Sequence, residues 1–129
     1  MAIRTHHVHH VARDPQVAAN FYIQHFDGEL FTPQIEYKGA PYISVKVGEV
    51  EIRIRGLREN ETGQDTPVDI GLHHFGIEVD NMEEITKSLD EAGVEFTKRP
   101  GDGVLGSTTA FIKAPDNVLI ELVQEPIES

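Results

Sequence analysis

One succession of patterns runs through this chain twice, and that doubling restricts its fold more than any other feature. Residues 3–12, IRTHHVHHVA, read as a strand. Asp14 then has the character of a helix N-cap, and Pro15 suits a first helical turn. QVAANFYIQHF continues as a helix with Val17, Phe21 and His25 on one stripe and Ala18, Tyr22 and Phe26 beside it; Asp27-Gly28 ends it. Three strand-like runs follow, ELFTPQIEY, YISVKV and VEIRI, the last two joined by a hairpin at Gly48-Glu49. After the polar stretch GLRENETGQDTPVD the succession restarts: LHHFGIEV reads as a strand, and Asn81 and Glu84 have capping-box spacing. Met82, Ile85, Leu89 and Ala92 form an apolar helix face, and Gly93 stops that helix. VEFTKRP, a GDGVLG turn, TTAFIKA, a PDN turn and VLIELV complete it. His7 and His74 stand at the same point of the two first strands, about 67 residues apart. Internal duplication is the simplest account. It gives one domain, 1–129, with module one at 3–55, a linker at 56–69 and module two at 70–125.

The strand parity then sorts the histidines. Side chains alternate across a strand, so His7, His9 and Val11 share one face while His6, Val8, His10 and Ala12 share the other. In the second copy His74, Gly76 and Glu78 oppose the more apolar His73, Phe75, Ile77 and Val79. The apolar set is expected to pack on the helix, which turns His74, and by repetition His7, toward whatever the sheet encloses. His6, His10 and His73 read as structural or surface residues, and Tyr22 as a residue packing from its helix. In VLIELV, Glu121 lies between apolar neighbours. It reads either as an edge-strand carboxylate in solvent or as one held by a cation, a strong donor or a metal, because burying a lone charge is costly. Its counterpart in VEIRI is Arg53, with Glu51 on the same face. Arg53 cannot ligate a metal but can hold a carboxylate or phosphate; a solvated face is the plain alternative for both residues.

Composition excludes several classes. There is no cysteine, so disulfides and thiol catalysis are out and any metal needs nitrogen and oxygen donors. A net charge of −11 without a basic cluster opposes nucleic acid and anionic membrane. No apolar run is long enough for a bilayer span and no signal-peptide pattern shows, so a cytoplasmic protein is expected. Two imidazoles and one carboxylate, His7, His74 and Glu121, make a plausible facial set for a divalent metal.

The stretches HVHHVARDPQVAANFYIQHFDG, HHFGIEVDNMEE and TTAFIKAPDNVLIELVQ resemble, in order and spacing, the vicinal oxygen chelate superfamily of glyoxalases, bleomycin-resistance proteins and extradiol dioxygenases. The resemblance spans nearly the whole chain. It implies an α+β fold of two βαβββ modules, whose curved mixed sheets enclose a metal and ligand cavity. It implies His7, His74 and Glu121 as ligands of one divalent ion, whether iron, manganese, nickel, zinc or cobalt. Four-ligand members such as glyoxalase I and methylmalonyl-CoA epimerase place Glu, Gln or His near the position of Arg53, which departs from the lyase and isomerase pattern. Three ligands are more like the iron-dependent extradiol enzymes, whose chains are usually much longer; metal-free binding members typically lose the ligands. The expected activity is metal-dependent chemistry on a small substrate with vicinal oxygens, through an enediolate- or catecholate-like species. A ring-cleaving dioxygenase and a metal-free binding or resistance protein are the alternatives. His9, on the face of His7, is the candidate base; a hydrogen-bonding or solvated role is its alternative. Arg53, Glu51, Phe111 and Lys113 are candidates for substrate binding, with Arg53 suited to an anionic group. A homodimer is expected.

Overall fold

The structure, a computed structural model, describes residues 6–61, 73–103 and 106–126. Residues 3–5 of the expected first strand, 62–69 of the linker, 70–72 of module two and 104–105 of the GDGVLG turn lie outside these. The chain divides into two compact units, Met1–Asp65 and Thr66–Ser129.

In the first unit the order is β1 (His7–Val11), α1 (Pro15–Phe26), β2 (Glu29–Tyr37), β3 (Ala40–Val47) and β4 (Val50–Arg55). They form a four-stranded sheet in the order β1-β4-β3-β2, with β1 parallel to β4 and the other pairs antiparallel. Asp14 caps α1, its carboxylate accepting from the backbone N–H groups of Gln16 and Val17 at 3.1 and 3.4 Å. Asp27 ends the helix in the left-handed region, φ 52°. Gly28 follows because the backbone passes so close to Tyr22 that a Cβ would lie 2.9 Å from its carbonyl oxygen. The helix packs chiefly on β3. Its buried face is Pro15, Ala18, Ala19, Tyr22 and Phe26. The stripe beginning at Val17 points outward instead, with Val17 53% exposed. Two small alanines on the inner face let the helix backbone approach the sheet, with Tyr22 and Phe26 packing on the same face. Under the helix lie Ile43, Val45, Ile52 and Ile54. Among them His10 is buried, its Nδ1 3.1 Å from the Tyr22 hydroxyl. Edge strand β2 remains largely exposed, including Leu30, Phe31, Ile35 and Tyr37.

The second unit repeats this connectivity: β5 (Phe75–Glu78), α2 (Met82–Glu91), β6 (Phe96–Asp102), β7 (Thr108–Lys113), a single 3-10 turn at Pro115–Asn117, and β8 (Leu119–Gln124). The sheet order is β5-β8-β7-β6, again with the first strand parallel to the last. The Asn81 side chain accepts from the Glu84 N–H at 3.0 Å. The side-chain carbonyl of Gln124 receives the Met82 N–H and ties α2 to the end of β8. Met82 and Leu89 are the buried helix residues, while Ala92, expected on that face, is exposed just before Gly93 turns the chain at φ 76°. Ala110, Ile112, Ile120 and Leu122 form the buried face of the sheet. The chain is thus an α+β protein of two βαβββ units.

The His10–Tyr22 bond predicts a graded response. Tyr22→Phe, which keeps the ring, is expected to lose about 1 kcal/mol. Tyr22→Ala should lose about 3–5 kcal/mol by also opening a cavity beneath α1. Denaturant midpoints of the two variants check both values.

Candidate functional site

Strand alternation gives each sheet one apolar face, under its helix, and one polar face. The polar face of the first unit is built in rows. The register sets His7 beside Glu51, His9 beside Arg53 and Val11 beside Arg55. Strand β3 extends the same rows with Lys46, Ser44 and Tyr42. His7 and His9 are exposed on this face, as their parity requires.

Glu51 is only 6% exposed, and the Arg53 Nε donates to its Oε1 at 3.1 Å. Burial is the largest single influence on that carboxyl and pushes it up. The nearby Ser44 hydroxyl, the Arg53 hydrogen bond and the charges of Arg53 and His6 outweigh it together, so Glu51 titrates below its ordinary 4.5. Ser44 Oγ is itself buried and makes no hydrogen bond of normal geometry, so it acts on Glu51 as a neighbouring dipole. Glu51 is therefore committed to Arg53, while Arg53 keeps about a third of its side chain exposed.

Sequence reasoning stopped at Arg53, but two further arginines belong here. Arg55 lies one row on, its Nη1 and Nη2 donating to Glu61 at 2.6 and 2.8 Å; the Arg58 N–H also donates to Glu61 Oε1 at 2.6 Å. These donors hold Glu61 down at about 2. Arg58 Nε is buried without a hydrogen-bond partner. Desolvation, followed by the charges of Arg55, His7, Arg53 and Arg58, lowers the His9 imidazole from its ordinary 6.5. The alternation in VEIRIR already places Arg55 with Arg53. Nothing in the polar stretch that follows signals Arg58 or Glu61.

In the second unit the polar face centres on Glu121. Its register partners are Gly76 on β5 and Phe111 on β7. His74, immediately before β5, brings Nε2 to 3.3 Å from Glu121 Oε1, with both side chains half-buried. The His74 ring meets Phe111 edge to face at 5.0 Å. His73 Nδ1 lies 2.9 Å from His74 Nδ1. Lys113 shares the face of Phe111 but is engaged by Glu95 at 3.1 Å. So the structure gathers His74, Glu121 and Phe111 in one unit and His7, His9, Glu51 and Arg53 in the other.

The His74–Glu121 pair suits a borderline divalent ion, offering one imidazole nitrogen and one carboxylate oxygen. Among the described residues no three His, Cys, Asp or Glu side chains are grouped for a metal. The pair would supply two of the ligands of such an ion.

The Arg53–Glu51 contact has a testable sign. A carboxyl whose folded value lies below its unfolded one stabilises the protein above the unfolded value, and that stability is lost as pH falls through the folded value. Arg53→Met should cost about 1–3 kcal/mol at neutral pH. The difference from wild type should shrink steadily below about pH 4.5, as Glu51 protonates. Urea midpoints across pH 3 to 7, taken at about one-unit steps, would show it; a pH-independent difference would contradict the assignment.

The sequence matches the Glyoxalase/Bleomycin resistance protein/Dioxygenase superfamily over residues 4–122. Among solved structures, a glyoxalase family protein from Enterococcus faecalis is 26% identical, with 93% of this chain and 96% of that chain covered and a TM-score of 0.77. A glyoxylase/bleomycin resistance protein/dioxygenase domain from a Frankia species is 18% identical, covering 93% and 95%, with a TM-score of 0.78. The fosfomycin resistance protein FosX from Mesorhizobium loti is 13% identical over 98% and 95%, with a TM-score of 0.72. With its two βαβββ units and a match over nearly its whole length, this chain belongs to the Glyoxalase/Bleomycin resistance protein/Dioxygenase superfamily.

Proposed function

We propose that the protein is a divalent-metal-dependent enzyme of the glyoxalase and dioxygenase type, acting on a small anionic substrate with neighbouring oxygens. The observation that carries this reading is the half-buried pairing of His74 Nε2 with Glu121 Oε1. His7, at the equivalent point of the first unit, would be the third ligand. A divalent ion held by these residues would supply Lewis-acid stabilisation of negative charge developing on adjacent substrate oxygens.

The remaining steps belong to the protein's own side chains. Arg53 presents its Nη groups to the anionic part of the substrate, and Glu51 fixes the direction of its guanidinium. Arg58, whose charge also acts on His9, adds positive charge near that ring. A ring nitrogen of His9, in the row between His7 and Arg55, takes or returns the substrate proton. Phe111 gives an apolar wall beside His74, and Lys113 borders it. Arg53 in place of a fourth ligand leaves room for the dioxygenase alternative. There the same residues hold a diol, and oxygen consumption with catechols replaces proton exchange with 2-oxo substrates as the measured activity. A metal-free binding protein is the second alternative, with the same polar faces holding the small molecule. The reading also includes a homodimer in the cytoplasm. A monomeric mass by light scattering would contradict the first part.

Metal analysis and calorimetry separate these readings. Wild-type protein is expected to bind one equivalent of a divalent ion. His74→Ala and Glu121→Ala should each weaken that binding by at least about 100-fold, and His7→Ala by a similar factor. His9→Ala should keep the metal and lose about 10²–10⁴-fold in rate. Wild-type protein that binds no divalent ion leaves only the binding-protein reading.

A further inference from the structure

Each unit opens on a pair of adjacent histidines, and the two pairs share one geometry. His6 Nδ1 lies 2.9 Å from His7 Nδ1, and His73 Nδ1 lies 2.9 Å from His74 Nδ1. The ring centroids are 5.1 Å apart in both pairs, and the rings stand at 83° and 85°. The arrangement recurs beside different neighbours, so no single local environment imposes it. His74 has Phe111 and Glu121 beside it, whereas His7 lies in register with Glu51.

An Nδ1···Nδ1 approach is a hydrogen bond only when one ring carries a proton there and the other a lone pair. Each pair therefore couples the tautomer of one ring to that of its neighbour. We propose that His6 and His73 are positioning residues: each engages Nδ1 of the following histidine and leaves Nε2 of His7 and of His74 as the outward, ligating atom. This rests on the metal reading above. A neutral imidazole that donates from Nδ1 has its lone pair on Nε2, the state a ligand requires.

In the second unit the coupling has a direction. Without a metal, Nε2 of His74 faces the Glu121 carboxylate at 3.3 Å, and that contact favours a proton on Nε2. The His74 lone pair is then at Nδ1 and accepts from Nδ1–H of His73. With an ion on Nε2 the arrangement reverses. Nδ1 of His74 would then carry the proton and donate to Nδ1 of His73, 2.9 Å away.

Long-range 1H–15N spectra of the imidazoles, recorded metal-free and saturated with zinc, read these tautomers directly. Zinc calorimetry on wild type, His6→Ala, His73→Ala and His73→Asn reads the consequence. The expected spectra show His74 changing from the Nε2–H to the Nδ1–H form while His73 changes the opposite way. His73→Ala and His6→Ala should each bind zinc about 10–100-fold more weakly. His73→Asn should recover most of that loss, because its side-chain oxygen can accept from His74 Nδ1–H. Affinity unchanged in both alanine variants, or a His73 tautomer indifferent to zinc, overturns the pairing while the metal site stands. A wild-type protein that takes up no zinc or other divalent ion overturns the site and the pairing together.

Discussion

A parallel pair of strands cannot be joined by a tight turn. The chain must leave the sheet and return, and here it does so through a helix and two further strands before the last strand of each unit arrives beside the first. That return trip is what brings chemistry together. It lays β4 along β1, so His9 meets Arg53, and β8 along β5, so Gly76 meets Glu121. The helices hold the pairing in place by burying the opposite faces, through Tyr22 and two alanines in one unit and through Met82 and Leu89 in the other. The candidate site residues that lie on the strands take their direction from strand parity on this frame.

The two units use the frame for opposite electrostatic ends. At equivalent points the first carries an imidazole beside a guanidinium, and the second a bare glycine beside a carboxylate. Arg53, Arg55 and Arg58 stand near His9, with Glu51 and Glu61 as their acidic partners. This concentrates positive charge locally on a chain of net charge −11. The acidic side of the frame gathers a nitrogen and an oxygen donor suited to a cation. The same connectivity occurs twice, with side chains of opposite sign at equivalent positions.

Much of this was legible in the sequence because it depends on local rules. Asp14-Pro15, Asn81 with Glu84, and Asp27-Gly28 each mark a helix end through backbone hydrogen bonding or a positive φ, and all three act as such. The bounds of β2 coincide with the run ELFTPQIEY. Parity alone sorted His7 and His9 from buried His10, and Glu121 from Ile120 and Leu122. What escaped depends on packing or on tertiary contact. The inner face of α1 follows close approach to β3, so Ala18 and Ala19 outcompete the larger Val17. Glu61 reaches Arg55 from a polar segment that carries no periodic signal. The histidine pairs were hidden for a different reason. Alternation predicts that neighbours on a strand point apart, but His6 and His73 precede their strands and are free to turn toward the next ring.

Strand β2 lies at the sheet edge for nine residues and shows Leu30, Phe31, Ile35 and Tyr37. Such an edge is a template for another strand. Two lysines temper it: Lys46 sits over the Phe31 ring at 4.7 Å and Lys38 over Tyr37 at 5.4 Å, so an incoming chain must strip a charge from each aromatic before it can stack there. The wider guard is mutual repulsion between copies that each carry −11. Repulsion of that kind reaches only about 8 Å at physiological ionic strength and about 3 Å in molar salt. In saline solution the local guards matter most: these two lysines, Pro33 and the irregular register of β2 then oppose addition of a strand at this edge.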